Sequence, residues 1–377
     1  MSVDGASFNL DVVPSRPRRV KYVRTVSQIS EIPEDQKALL EQVAQRYVFR
    51  ANDYYLKLID WSDPDDPIKQ LIIPRVEELE DFGKLDASDE GTHTVSRGVQ
   101  HKYADTVLLL CNEVCGAYCR YCFRKRLFMD DNDETTHDVS EGLAYIRRHH
   151  EVTDVLLTGG DPLIMSSRRL REIIFELSKI PHVRIIRIGT KMPAFNPYRV
   201  LDDPDLQELF RRYSTSDCRI YLMAHFDHPR ELTEPAIEGI MLLTRLGVQT
   251  VNQCPVIRGV NDDAAVLAEM FETLSTIGCP QYYLFQCRPT SGNAAYEIPI
   301  VRSFQLFDEA RRRVSGLSRR ARFVLSHATG KVEVLGIDSR RMYCRYHRAK
   351  NAADEGRLML FKRDDEAYWL DQLVSCS

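Results

Sequence analysis

The sequence predicts an α/β protein whose core is an open six-stranded (β/α)6 barrel, a partial TIM barrel. Short apolar runs rich in β-formers alternate with amphipathic helical patterns, as in parallel sheets covered by helices. Six such units are counted, too few for a closed eight-stranded barrel. Every unusual polar string follows a strand, so these strings should share the rim where barrel active sites lie.

An N-terminal helical extension, residues 1–100, is predicted before the barrel. Its first dozen residues are polar and expected to be loose. Residues Glu34–Arg50 are predicted as a helix, because Leu39, Val43 and Tyr47 fall on one face. A bend rich in aspartate and proline and a polar connector then lead to the barrel, residues 101–335.

The barrel strands and several of the helices between them can be assigned individually. The predicted strands are Thr106–Cys111, Asp154–Leu157, Val183–Ile188, Arg219–Met223, Val248–Val251 and Tyr282–Phe285. The predicted helices are Glu141–His149, Arg168–Ile180, Leu232–Leu246 and Asp262–Ile277. Residues 336–377 are expected to form a C-terminal extension.

Composition narrows the classes of function. The 377 residues are 44% hydrophobic and 28% charged, as in ordinary globular proteins. A formal net charge of −4 argues against a nucleic-acid partner. No apolar run is long enough to span a membrane and no secretory leader is visible, so no membrane association is expected. Ten cysteines in such a chain predict a reducing, cytoplasmic location.

The most informative motif is the loop CGAYCRYC after the first predicted strand, which carries Cys115, Cys119 and Cys122. Iron–sulfur clusters usually take four thiolates, so three would leave one iron for a ligand that is not protein. Polar and basic neighbours make the loop electropositive, unlike a loop of buried core cysteines: Arg120, Tyr121, Arg124, Lys125 and Arg126. A zinc site that adds Cys111 is the rival, but structural zinc sites usually pair two separated Cys-x2-Cys units.

The spacing Cys-x3-Cys-x2-Cys, with an aromatic residue before the last cysteine, is that of radical S-adenosylmethionine (SAM) enzymes. The longer string CGAYCRYCFRKRLF resembles the lysine 2,3-aminomutase family, and the resemblance extends from about Tyr54 to about Leu335. It implies a [4Fe–4S] cluster whose unique iron binds SAM, cleavage of SAM to a 5′-deoxyadenosyl radical, and pyridoxal 5′-phosphate (PLP) as a second cofactor. The implied reaction moves an amino group from the α- to the β-carbon of an amino acid.

The resemblance also implies which residues contact SAM. They lie after the second to fifth strands and are Gly159, Gly160, Asp161, Arg187, Thr190, His225 and Gln253. Glycines lack a Cβ and therefore allow close approach of the backbone to a ligand. Taken singly, the GGD-P string is only a turn and the others are only polar rim residues. Their common position after strands favours the SAM interpretation.

Lys331, in the string VLSHATGKVEVLG, matches the family lysine that forms a Schiff base with PLP. Desolvation would lower its pKa and make the amine nucleophilic. The family turn before this lysine usually has four glycines, whereas here it is Ala-Thr-Gly, and an exposed turn lysine is the alternative. Lys102 and Tyr103 match a family Arg-Tyr pair that contacts PLP, with lysine serving as a point charge for phosphate.

Two arginines are candidates for binding the substrate. Arg124 matches the family arginine that clamps the substrate carboxylate, a task suited to a planar bidentate donor. Arg288 stands where lysine-specific members have an aspartate, and Ser326 and His327 lie near the second such position. An arginine would repel an ammonium, so a small-molecule amino acid other than lysine is expected.

The remaining partners follow from the resemblance: an external electron donor such as flavodoxin or ferredoxin, and a homo-oligomeric state. Three alternatives remain open. The same scaffold could act on another substrate, the chain could be a non-catalytic iron–sulfur electron carrier, or it could be a zinc-stabilised nucleic-acid module. The GGD-P and RIGT strings argue against an electron carrier, which has no use for a SAM pocket.

Overall fold

The computed structural model describes residues 17–129 and 132–376, so the expectation of a loose first dozen residues lies outside the described part. The described strands are β1 (Tyr22–Val23), β2 (Ala51–Asn52), β3 (Thr94–Ser96), β4 (Val99–Tyr103), β5 (Thr106–Asn112), β6 (Asp154–Gly159), β7 (Ile185–Thr190), β8 (Arg219–Ala224), β9 (Gln249–Val256), β10 (Gln281–Gln286), β11 (Arg322–His327), β12 (Gly330–Ile337), β13 (Arg341–Ala349) and β14 (Leu358–Lys362). The described α-helices are α1 (Glu34–Arg46), α2 (Asp53–Leu56), α3 (Pro67–Ile72), α4 (Ser140–Arg148), α5 (Ser167–Ser178), α6 (Met192–Phe195), α7 (Tyr198–Leu201), α8 (Pro204–Tyr213), α9 (Glu234–Arg245), α10 (Ala264–Thr276) and α11 (Ile300–Arg313).

Twelve strands form one sheet in which β3 to β14 follow each other in chain order. The strands from β5 to β11 are parallel, and antiparallel strands extend the sheet at both ends. The predicted α/β class with a parallel central sheet is confirmed. The sequence prediction counted six parallel strands in the barrel, and the sheet has a seventh, β11, which is the apolar strand that precedes Lys331.

Helices cover the parallel strands, and polar side chains begin several of them. The side chain of Ser166 accepts the N–H of Arg169 at the start of α5, and that of Asp263 accepts two backbone N–H groups at the start of α10. Such caps satisfy donors that have no partner within the helix. The four predicted helices correspond to α4, α5, α9 and α10, with ends shifted by one or two residues. Helices α8 and α11 were not predicted.

Helix α1 is shorter than the predicted Glu34–Arg50. It ends at Arg46, and Tyr47 already has an extended backbone (φ −125°, ψ 101°). The chain continues extended because Ala51 and Asn52 pair with Val23 and Tyr22 in the β1–β2 ribbon. Tertiary pairing therefore outweighs the helical pattern of the last turn.

Side chains from distant strands of the sheet touch one another. Lys102 Nζ, on β4, donates to the carbonyl oxygen of His327, on β11, at 2.6 Å. Arg348, on β13, donates to Thr106 Oγ1 at 3.2 Å, and its guanidinium lies 4.4 Å from the Tyr103 ring centroid. A flat sheet would separate β4 from β11 by seven strand spacings, roughly 33 Å. The sheet is therefore strongly curved, although no backbone pairing between described strands closes it.

The regions before and after the predicted barrel are continuous with the sheet. Strand β4 crosses residue 100 and β12 crosses residue 335. The first 100 residues contain β1 to β3 as well as α1 to α3, so their described part is not purely helical.

Within the described ranges, no helix combines the length and apolarity needed to cross a bilayer.

Candidate active site

The cysteine loop follows β5 and carries Cys115, Cys119 and Cys122, all partly exposed. Gly116 in this loop packs against Met192, and a Cβ there would lie 2.6 Å from the Met192 sulfur. The loop is thus held against the segment that follows β7. Cys111, the fourth cysteine of the zinc alternative, is buried in β5, where its thiol faces the carbonyl oxygen of Thr158.

The three loop cysteines fit an iron–sulfur cluster. Burial raises the pKa of Cys115, and the neighbouring Asp161, Cys122 and Cys119 raise it further. Burial likewise raises the pKa of Cys119 and Cys122. Thiolates so placed need bound positive charge, which cluster irons supply. In the described chain no three His, Cys, Asp or Glu side chains converge on a single-ion site, whereas a cluster binds each cysteine to a different iron.

The basic residues of the loop are paired with carboxylates, a feature that the sequence analysis did not anticipate. Arg120, Arg124 and Lys125 are buried. Arg120 and Lys125 both bind Glu78, at 2.8 and 3.3 Å. Carboxylates of the preceding segment therefore neutralise these cations, as buried charges require.

The GGD-P string packs against the cysteine loop. A Cβ on Gly159 would collide with the carbonyl oxygen of Asn112, and one on Gly160 with the backbone of Val114. Gly159 also has φ +105°, which disfavours other residues. These glycines thus allow close approach of two protein segments, whereas the sequence analysis expected close approach to a ligand.

Asp161 is buried, and its carboxylate already accepts several protein donors. These are Thr190 Oγ1 (2.7 and 2.9 Å), the Lys191 N–H (2.8 Å) and the Leu163 N–H (2.9 Å). A carboxylate offers about four acceptor positions, and three donors use them here, because the single Thr190 hydroxyl is shared between the two oxygens. Asp161 and Thr190 therefore join the ends of β6 and β7.

His225, at the end of β8, belongs to a buried polar network that the sequence analysis missed. Its Nε2 lies 2.9 Å from Tyr121 Oη and 3.1 Å from Asp227 Oδ1. Lys191 bridges Asp227 (2.5 Å) and Glu231 (2.6 Å). Burial alone would lower the pKa of Lys191, but these two carboxylates outweigh it and raise the pKa. The network fixes Tyr121, which lies between two of the cluster cysteines.

The other two predicted SAM residues lie on neighbouring parts of the same sheet. Arg187, on β7, donates to Asp154 Oδ1 at 2.7 Å, and its charge contributes to the lowered pKa of Lys331. Arg187 is therefore paired with β6 and lies near enough to Lys331 for their charges to interact. Gln253, on β9, is partly buried and pairs in register with Tyr283 of β10.

Lys331 is the second residue of β12, opposite Ser326 and Arg348. Its Nζ lies 4.9 Å from the Tyr283 ring centroid and 4.8 Å from that of Phe285. Burial, reinforced by the charges of Arg288 and other cations, lowers the pKa of Lys331 well below its usual value. A lowered pKa makes the amine more nucleophilic and fits Schiff-base chemistry.

The surroundings of Lys331 also fit an anionic group such as the phosphate of PLP. Burial and the charge of Arg288 lower the pKa of Lys102 to about 8. The Nε2 atom of His93 is buried without a hydrogen-bond partner, and His93 lies near enough to Lys102 for their charges to interact. Burial raises the pKa of Tyr103 to about 12, so its hydroxyl stays a donor.

Arg124 is held by two groups of the protein. Its Nε and Nη2 donate to Glu90 at 2.8 to 3.2 Å, and its Nη1 donates to Thr158 Oγ1 at 2.7 Å. Burial alone would raise the pKa of Glu90, but Arg124 and Arg126 outweigh it and hold the pKa well below the usual range. Sequence reasoning missed Glu90 and Glu78. The sequence offered one signal for these two carboxylates. The cysteine loop carries several basic residues, and basic side chains that become buried need carboxylate partners.

Arg288 and Arg124 both lie near the ring of Phe123. The Arg288 guanidinium is 3.6 Å from the Phe123 ring centroid, and that of Arg124 is 5.0 Å from it. The Nη1 atom of Arg288 is buried without a hydrogen-bond partner. Burial lowers the pKa of Arg288 to about 10, so the side chain remains a cation near pH 7. Glu297 does not pair with Arg288, and burial raises the pKa of Glu297 to about 9.

Comparison with known proteins agrees with this geometry. Residues 110–271 match the Radical SAM superfamily. A provisionally named L-lysine 2,3-aminomutase of Aquifex aeolicus is 52% identical over 94% of this chain and 95% of its own length. L-lysine 2,3-aminomutase of Clostridium subterminale is 33% identical, over 79% and 71%. Glutamate 2,3-aminomutase of Clostridioides difficile is 30% identical, over 80% and 70%. The chain belongs to the lysine 2,3-aminomutase family of radical SAM enzymes.

Proposed function

We propose that this protein is a radical SAM, PLP-dependent amino acid 2,3-aminomutase. It moves an amino group from the α- to the β-carbon, and a hydrogen moves the opposite way, so that substrate and product are isomers. The observation that carries the proposal is Lys331, a half-buried lysine whose Nζ lies 4.9 and 4.8 Å from two aromatic ring centroids and whose pKa is lowered by burial and by nearby cations. An electron carrier would have no use for such a lysine.

The cofactor assignments rest on residues that fit each group. Cys115, Cys119 and Cys122 would hold a [4Fe–4S] cluster with SAM on its fourth iron, and Lys331 would hold PLP. When bound, the cluster and SAM supply a carbon-centred radical, and PLP supplies a carbonyl that condenses with amines and delocalises an unpaired electron. His225, fixed by Tyr121 and Asp227, would orient SAM.

The remaining polar residues bind and orient. Lys102 and Tyr103 would contact the PLP phosphate, with Lys102 supplying charge below pH 8. Arg187 would keep a second cation near Lys331, so that its amine stays unprotonated. Arg124 would clamp the α-carboxylate of the substrate, because a planar guanidinium matches a carboxylate with two parallel hydrogen bonds.

Arg288 would determine the substrate tail, and it favours a tail with a carboxylate or a neutral polar group. Its charge, its unpartnered Nη1 and its contact with the Phe123 ring, which Arg124 also approaches, all support this preference. An ammonium tail would meet a cation, since no described carboxylate forms an ion pair with Arg288. The glutamate 2,3-aminomutase relative is consistent with such a substrate within this family.

Several broader features belong to the same proposal. The curved sheet would act as a partial (β/α) barrel, which the contact between Lys102 and His327 supports. The extensions, residues 1–100 and 336–377, would brace the barrel of residues 101–335.

All ten cysteines are unpaired, which supports a reducing cytoplasmic location. A flavodoxin or ferredoxin would supply the electron, and the exposed Leu358 on edge strand β14 would suit a homo-oligomer contact.

Anaerobic reconstitution with iron, sulfide and PLP tests the proposal. The holoenzyme should show iron–sulfur absorbance and a PLP band, and with SAM and reductant it should convert an α-amino acid to a β-amino acid. Chiral chromatography of reactions with lysine, arginine, glutamate and glutamine identifies the product. Protein that cleaves SAM but takes up no PLP would instead act on another substrate with the same scaffold.

A further inference from the structure

We propose that Glu90 is the positioning residue for Arg124. It would hold the guanidinium so that two N–H groups remain for the α-carboxylate of the substrate. The inference rests on the aminomutase function proposed above, and it assigns a role to a side chain of the segment before the barrel.

The hydrogen bonds of Arg124 leave a defined set of donors. A guanidinium has five N–H groups. Glu90 takes those of Nε and one of Nη2, and Thr158 takes one of Nη1. One N–H on each terminal nitrogen remains, which is the number that a bidentate carboxylate accepts. Glu90 accepts hydrogen bonds from Nε and Nη2, which form one side of the guanidinium. It therefore orients the group without occupying the end formed by Nη1 and Nη2, which would meet the substrate.

Glu90 is itself rigidly held. Its second oxygen accepts from Arg126 Nη2 at 2.8 Å. The side chain of Asp86 accepts the backbone N–H groups of Glu90 and Gly91, both at 2.9 Å. The preceding residue, Asp89, has φ +54°, which is uncommon for a non-glycine residue and sustained only where surrounding contacts determine it. The local backbone thus presents the carboxylate at one place.

The test measures amino-acid binding to the reconstituted holoenzyme by calorimetry. L-glutamate and L-lysine are the probes, since both carry the α-carboxylate that Arg124 would bind. Glu90→Gln should raise Kd at least tenfold for whichever probe binds the wild type. The glutamine amide offers one neutral acceptor oxygen, whereas the carboxylate offers two that share a negative charge. Glu134→Gln is the matched control: Glu134 binds Arg126 at 2.7 Å but does not touch Arg124. Its Kd should stay near wild type.

A double-mutant cycle separates positioning from a general structural effect. If Glu90 acts through Arg124, Glu90→Gln should add little to the loss caused by Arg124→Lys. If the effects of Glu90→Gln and Arg124→Lys on Kd multiply in the double variant, the inference is overturned. An unchanged Kd in Glu90→Gln would overturn it as well. If Glu90→Gln fails to fold, judged by iron content, Thr158→Val removes the other anchor of Arg124 and should also raise Kd.

A crystal structure of Glu90→Gln decides the matter independently of substrate identity. The Arg124 guanidinium should leave its present hydrogen bond to Thr158. An unmoved guanidinium would overturn the inference even if the variant bound amino acids poorly. Wild-type holoenzyme that binds neither probe would refute the proposed amino acid substrates, and the position of Arg124 in the variant would still test the role of Glu90.

Discussion

The carboxylate of Glu78 lies 2.8 Å from Nη2 of Arg120, and both side chains are buried. Glu78 precedes the barrel, whereas Arg120 stands between two of the cluster cysteines. Arg120 also donates to the carbonyl oxygens of Tyr47 and Val48. The N-terminal segment therefore sets the conformation of the cysteine loop.

The first prediction concerns stability. Glu78→Gln should lower the free energy of unfolding by about 3–5 kcal/mol, because it leaves Arg120 and Lys125 buried without their counter-ion. Urea denaturation of the apoprotein measures this. Glu172→Gln, which removes a carboxylate from an exposed ion pair with Arg168 and Arg169, should cause no measurable change. Equal effects of the two substitutions would contradict the assigned role of Glu78.

A second prediction concerns the cluster ligands. Alanine at Cys115, Cys119 or Cys122 should abolish SAM cleavage and lower iron content, because no neighbouring residue can replace the lost ligand. The Cys111→Ala variant is the control. Because Cys111 is buried in β5, this variant should keep its iron and lose only about 1 kcal/mol of stability from the small cavity. A requirement for Cys111, together with a dispensable loop cysteine, would show that the ligands are misassigned.

A third prediction concerns Lys331. Borohydride treatment of the holoenzyme should fix a pyridoxyl group on this residue, as peptide mapping by mass spectrometry would detect. Lys331→Ala should lose the PLP absorbance and keep the iron content. Lys57→Ala, which changes an exposed lysine directly after α2, should retain both. Labelling of any lysine other than Lys331 would argue against the site.

The pH dependence of PLP affinity is a fourth prediction. The pKa of Lys102 is lowered to about 8 by burial and by Arg288, so this side chain is cationic below pH 8 and neutral above it. PLP affinity should therefore start to fall as pH rises above 8, by roughly tenfold for one lost charge-assisted hydrogen bond. Lys102→Arg stays charged and should show little change between pH 7 and 9. If PLP affinity depends on pH in the same way in the wild type and in Lys102→Arg, Lys102 is excluded as the phosphate contact.

The fifth prediction concerns substrate choice. Two like charges about 4 Å apart repel by roughly 4 kcal/mol at an effective dielectric near 20, close to a thousandfold in affinity. Glutamate should therefore be converted in preference to lysine, and Arg288→Ala should lose that preference. Arg258→Ala is a matched control, since Arg258 donates to the Glu297 carbonyl instead. Rapid lysine turnover by the wild type would refute the charge argument.

Local patterns predicted much of the fold and of the reactive residues. The strands β5 to β10 have the continuous apolar composition of buried parallel strands, so their positions follow from sequence. The cysteine spacing and the lysine after an apolar strand identified the candidate cofactor residues. Helices α8 and α11 and the end of α1 were missed, and β11 was not counted among the parallel strands, because pairing and packing with distant segments decide them.

The sequence by itself determined which side chains could perform the chemistry, since Cys115, Cys119, Cys122 and Lys331 are defined by residue type and spacing. Only the tertiary structure decided which charges meet. Glu78 and Glu90 reach the basic cysteine loop from segments more than thirty residues away in the chain. Arg288 meets no carboxylate partner among the described residues. Ion pairing acts through space and depends on burial, so sequence separation does not predict it.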